Sequence, residues 1–80
     1  MVVRYFAGAS AAAGLEEELV DVPDGATVEA LAGLLAERHG GRLASVLASS
    51  TFLVDEMPGG RERRLSGARA VDVLPPFAGG

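Results

Sequence analysis

Between Thr27 and His39 the apolar residues Val28, Leu31, Ala32 and Leu35 stand at i, i+3, i+4 and i+7, one stripe two turns long. On either side the pattern changes to period two. Upstream, Val3, Tyr5 and Ala7 alternate with Val2, Arg4 and Phe6; downstream, Val71 and Val73 alternate with Asp72 and Leu74. A helix with one apolar stripe, set between half-buried strands, must bury that stripe against the sheet those strands build. The expected fold class is therefore α+β, one main helix packed across one face of a mixed four- to five-stranded sheet. With 80 residues there is room for one such unit and no second domain. Nothing further in the chain is available to cover the other sheet face.

Local chemistry fills in the remaining elements. Thr27 is placed to accept from first-turn amides, Arg38 and His39 suit the negative end of the helix dipole, and Gly40-Gly41 stops the helix. Gly33, off the stripe, weakens the helix by roughly 1 kcal/mol relative to Ala. Ala9 to Ala13 before Gly14 reads as a single helical turn, and Glu18 to Val22 as a second strand ended by Pro23. Leu43, Val46 and Leu47 keep helical spacing for a turn or two, and Phe52-Leu53-Val54 is a short strand. Asp55 to Gly60 reads as a turn, Arg61 to Arg64 as a solvated charged turn and Ser66-Gly67 as another turn.

Composition narrows function by exclusion. A net charge of −4 offers no basic stripe to a phosphate backbone, so no nucleic-acid partner is expected. There is no Cys, hence no disulfide, thiolate metal site or thiol nucleophile, which suits a reducing compartment and points to the cytoplasm. All seven basic residues are Arg, which removes Schiff-base lysine chemistry. The longest uncharged run, Tyr5 to Leu15, falls short of the ~18–20 residues that span a bilayer, so no membrane partner is expected. As a secretory signal the same run lacks a Leu-rich centre, and cleavage there would delete the first strand. His39, Ser45 and Asp55 have no spacing that supports a hydrolytic triad, and Glu16-Glu17-Glu18 reads as a solvated face rather than a cation site. Gly8 to Gly14 lacks the Lys of a phosphate-binding loop.

The chemistry then falls to the carboxyl end, Leu74-Pro75-Pro76-Phe77-Ala78-Gly79-Gly80. Two prolines end the strand ladder and stiffen the exit, and the last four residues reach up to ~14 Å when extended at ~3.5 Å each. Glycine at the tip removes side-chain bulk, so the terminal carboxylate of Gly80 can enter a narrow pocket on another protein. With Gly at 11 of 80 positions, a Gly-Gly ending arises by chance about 2% of the time. The expected division is a domain over residues 1–74 and a flexible tail over 75–80.

An exposed apolar patch on the uncovered sheet face would mark the partner surface. Alternation puts Phe6 and Leu74 on the outward side, Met57-Pro58 falls on a turn able to border them, and Arg4 is placed for a rim ion pair.

These residues resemble the ubiquitin-like β-grasp sulfur carriers, in particular the small subunits of molybdopterin synthase. The likeness is carried by Val3-Arg4-Tyr5-Phe6-Ala7, Pro23-Asp24-Gly25-Ala26-Thr27-Val28, Phe52-Leu53-Val54-Asp55 and the ending from Val71 to Gly80. One departure is Ser66-Gly67-Ala68-Arg69, where the family usually has an acidic Asp-Gly-Asp turn. The resemblance implies a non-catalytic sulfur-donor subunit whose Gly80 carboxylate is adenylated by an ATP-dependent activating enzyme and then thiocarboxylated. Gly79 would be the thin neck behind it. By the same resemblance the chain binds no cofactor itself, ATP belonging to the activating enzyme. Its partners would be that enzyme and the synthase large subunit, docked through Phe6, Leu74, Met57, Pro58, Arg4 and the Pro75-Pro76-Phe77 lead-in. Carriers for thiamine, cysteine or tRNA thiolation, and ubiquitin-like protein modifiers, share the fold and the diglycine.

Overall fold

The computed structural model describes residues 1–76. Eight elements follow in chain order: β1 (Val2–Tyr5), α1 (Gly8–Ala13), β2 (Glu17–Leu19), α2 (Val28–His39), α3 (Gly41–Ala48), β3 (Thr51–Val54), β4 (Met57–Gly59) and β5 (Ala70–Leu74). The five strands form one mixed sheet in the order β2-β1-β5-β3-β4. β1 and β5 run parallel, and the other neighbours are antiparallel.

The apolar stripe of α2 does what its spacing predicts. Val28, Leu31, Ala32 and Leu35 are buried, and they meet Val3 and Tyr5 of β1, Val71 and Val73 of β5, and Phe52 and Val54 of β3 in one core. Each fully buried Val or Leu contributes roughly 1.5–3 kcal/mol relative to exposure. Thr27 caps α2 by accepting from the Ala30 amide at 3.2 Å. Gly40, at φ 96°, ends α2 and begins α3, a backbone conformation that only glycine adopts without strain. The helical layer is fuller than a single helix, because α3 buries Leu43 and Leu47 and α1 buries Ala9.

Two turn assignments change. Asp55 to Gly60 is not simply a turn: only Asp55 and Glu56 form the loop, at φ 47° and 71°, and the chain returns as β4. A two-residue loop with both residues left-handed matches strand twist, and here non-glycine residues adopt it. Glu62, Arg63 and Arg64 are exposed as expected of a solvated turn, but Arg61 is only partly so. Its Nη2 donates to the carbonyls of Leu47 at 2.7 Å and Ala48 at 3.2 Å, closing the C-terminus of α3. The guanidinium also lies 5.0 Å from the centre of the Phe52 ring and reaches Glu29 of α2 at 3.1 Å. The stretch before β5, without the acidic turn usual in the resembled family, is held instead by Asp55. Its Oδ1 accepts from the amides of Arg69 at 2.9 Å and Ala70 at 3.0 Å, which keeps the carboxyl below the usual Asp range.

Candidate functional site: the uncovered sheet face and the tail exit

The face turned away from the helices is built in cross-strand rows. Register aligns Glu17, Arg4, Asp72, Leu53 and Pro58 in one row and Leu19, Val2 and Ala70 in the next. Beyond them, Leu74 of β5 stands opposite Thr51, with Phe6 beside it at the end of β1. The Phe6 amide donates to the Val73 carbonyl at 3.2 Å, so Phe6 continues the β1–β5 ladder one residue past β1. Phe6 is 42% exposed, while Leu74, Leu53 and Val2 are half-buried. This is an apolar surface with no covering element among the described residues.

Arg4 and Asp72 supply its polar centre. They face each other across the parallel β1–β5 pair, and Arg4 Nε donates to Asp72 Oδ1 at 2.7 Å. Asp72 is only 8% exposed although it points outward, because the Arg4 side chain lies beside it and shields it. Charge assistance makes such a bond stronger than a neutral one, and it fixes Arg4 flat on the face. Ala7, directly after Phe6, holds φ 50° and ψ −124°, a conformation that is strained for a residue with a Cβ. A shallow cavity of about 470 Å³ opens there, bounded by Arg4, Phe6, Ala7 and Glu17.

The structure brings together Arg4, Phe6, Leu74 and the half-buried Pro75, with Pro76 exposed at the exit. Pro58 joins the Arg4 row from the far edge. Met57 does not border Phe6. It belongs to β4, at the opposite edge from β1's neighbour β2, and alternation turns its 63% exposed side chain toward the helix side of the sheet. Phe77, Gly79 and Gly80 lie outside the described residues. Val2 shares the outward face with Arg4 and Phe6 as its alternation predicts, and Leu53 joins them, an outward position signalled only by the alternation of Phe52-Leu53-Val54.

On the helix side a second polar group ties β2 to α2. Glu18 accepts from Tyr5 Oη at 2.6 Å and Arg38 at 2.9 Å, and it pairs with His39 Nε2 at 2.5 Å. Burial raises the Glu18 carboxyl, but the three hydrogen bonds outweigh it and hold the group below the usual Glu range. Burial, followed by the bond to Glu18, drives the Tyr5 hydroxyl well above the usual tyrosine range. Among the described residues no group of three or more acidic or His side chains could hold a metal ion, and no helix is long and apolar enough to cross a membrane.

Comparison with known proteins places this arrangement. The ThiS family model matches residues 3–80. The chain belongs to the ThiS family. Among solved structures, this ThiS-family chain is similar to a putative molybdopterin converting factor, subunit 1, from Pyrococcus furiosus, at 26% identity and TM-score 0.82 over 95% of both chains. The Haloferax volcanii protein HVO 2177 matches at 27% identity and TM-score 0.81, over 99% of this chain and 84% of that one. Small archaeal modifier protein 1 of Haloferax volcanii shares the fold at 20% identity and TM-score 0.83, over 95% of both chains. No curated protein matches the chain in sequence. The ubiquitin-like β-grasp fold and the sulfur-carrier resemblance read from the sequence both stand.

Proposed function

We propose that this chain is the sulfur-carrier small subunit of a molybdopterin synthase, with the Gly80 carboxylate as its reactive group. The observation that carries the reading is the continuity of an apolar sheet face with a stiff Pro75-Pro76 exit that leads to Gly79-Gly80. Similarity to a molybdopterin converting factor subunit over nearly the whole of both chains supports the pathway. A terminal carboxylate, with pKa ~3.5, is ionised at neutral pH and a poor electrophile. An ATP-dependent activating enzyme would join it to the adenylyl group with release of pyrophosphate. Attack of hydrosulfide on the acyl carbon would then expel AMP and leave a thiocarboxylate at Gly80; with a persulfide as nucleophile, a thiol must afterwards cleave the S–S bond of the acyl persulfide and is itself oxidised to a disulfide. The chain supplies position rather than acid–base chemistry. Phe6, Leu74 and Leu53 dock the synthase large subunit or the activating enzyme, Arg4, held flat by Asp72, offers its remaining donors at the centre of that face, and the diglycine neck admits the carboxylate to the partner's active site.

Intact mass after incubation with the activating enzyme, ATP and a sulfur donor tests the reading. One oxygen replaced by sulfur is expected, and deletion of Gly80 should abolish the change. An unchanged mass in the presence of a demonstrably active enzyme refutes sulfur carriage. Isopeptide conjugates without thiocarboxylate would establish the modifier reading, which draws on the fold shared with small archaeal modifier protein 1. Sulfur transfer to an acceptor other than a molybdopterin precursor would leave the carrier role standing and move the pathway.

A further inference from the structure

The two edges of the sheet are built differently. On β4, Met57 and Gly59 turn their backbone groups toward β3, so the residue between them faces outward, and that residue is Pro58, which has no N–H to offer. That edge is blunted. On β2, Glu16 and Val20 bond to β1, with the Tyr5 amide donating to the Glu16 carbonyl at 2.8 Å and the Val20 amide to the Met1 carbonyl at 2.9 Å. Antiparallel alternation then leaves the N–H and C=O groups of Glu17 and Leu19 directed outward, with no strand to receive them among the described residues.

The side chains at this open edge are specific. Leu19 is 77% exposed, and with Val2, its cross-strand partner, it borders a shallow cavity of about 410 Å³. Glu17 lines the same cavity, and Glu16 and Asp21 stand just before and just after the strand; all three are exposed and absent from the ion pairs among the described residues. A second copy would bring the same acidic strand against itself, which the charges oppose. From inside, Glu18 holds β2 through Tyr5, Arg38 and His39, so the edge is pre-formed and loses little freedom on binding.

We propose that the β2 edge accepts an extended segment of a partner protein as a sixth, antiparallel strand, the segment carrying an aliphatic residue with Arg or Lys two positions away on both sides. The backbone groups of Glu17 and Leu19 supply the ladder. The aliphatic residue lies opposite Leu19 and beside Val2, and the flanking basic side chains fall on the same face, opposite Glu17 and Asp21. This recognition is independent of the diglycine, and a chain lacking Gly79 and Gly80 should retain it.

The probe is the blocked heptapeptide Thr-Arg-Thr-Val-Thr-Arg-Thr, titrated into the full chain and followed residue by residue by NMR. At saturation, amide exchange at Glu17 and Leu19 should slow by about tenfold or more. N-methylation of the peptide at Val and both Arg, or the Leu19→Asp substitution, should weaken binding at least about tenfold. Leu19 is exposed, so this variant should fold, which its spectrum checks. The charge-swapped pair, Glu17→Arg with Glu replacing Arg in the peptide, should restore what either change alone removes. No slowing at Glu17 and Leu19, equal binding of the N-methylated peptide, perturbations centred on Leu53 and Leu74, or dimerisation through β2 would each overturn the proposal.

Discussion

Replacement of Arg61 by Ala should cost this small domain a large share of its stability. Arg61 donates two hydrogen bonds to the C-terminal carbonyls of α3, and such bonds contribute about 0.5–1.5 kcal/mol each. Those carbonyls can in part turn to water, which favours the lower half of the range. The guanidinium over Phe52 adds about 0.5–1 kcal/mol. The bridge to Glu29, whose side chain is largely exposed, adds at most a few tenths. The sum is about 2 kcal/mol, against a total of roughly 3–5 kcal/mol for a core of this size. Thermal unfolding should show a fall in Tm of about 8–15 °C, with urea titration giving the same free energy. Arg61→Met, which keeps an unbranched apolar side chain but no donor and no charge, should lose most but not all of that amount. A loss below about 0.5 kcal/mol for Arg61→Ala would refute the view that this residue fastens α3 to the sheet.

Two further perturbations test other links. Gly33 is exposed in mid-helix and a Cβ built there meets nothing within 4 Å, so Gly33→Ala should stabilise by about 0.8–1 kcal/mol, read as a rise in Tm of about 4–8 °C. A destabilised or unchanged variant would mean that α2 is not a regular helix at that point. Glu18 has a folded pKa lowered from 4.5, so its contribution is present above the ordinary glutamate range and is lost as pH falls through the folded value. Urea midpoints measured from pH 7 down to pH 3 should therefore decline, with a shallower decline for Glu18→Gln. Identical pH profiles for the two proteins would show that the cluster with Tyr5, Arg38 and His39 does not form.

The helix and central strands were legible because their signals are local. The spacing of Val28, Leu31, Ala32 and Leu35 and the alternation around Val3 and Val71 need only neighbours along the chain. Arg4 and Phe6 could be placed on the outward face for the same reason. The hairpin at Asp55-Glu56 escaped because its left-handed loop uses residues that carry no glycine signal, and the three-residue β4 contains a proline. That same misreading put Met57 beside Phe6.

By itself the sequence determined the fold class, the buried faces of α2, β1 and β5, and a carboxyl end in which two prolines are followed by a tip without side chains. These depend on periodicity and on the backbone chemistry of proline and glycine, which act where they stand. Only the tertiary structure decided that Arg4 lies over Asp72, that Arg61 closes α3, that Asp55 holds the start of β5, and that one sheet edge is shut while the other is open. Each of these joins residues far apart in the chain through strand order and register, and a change of register by one residue would turn every side chain of a strand to the opposite face.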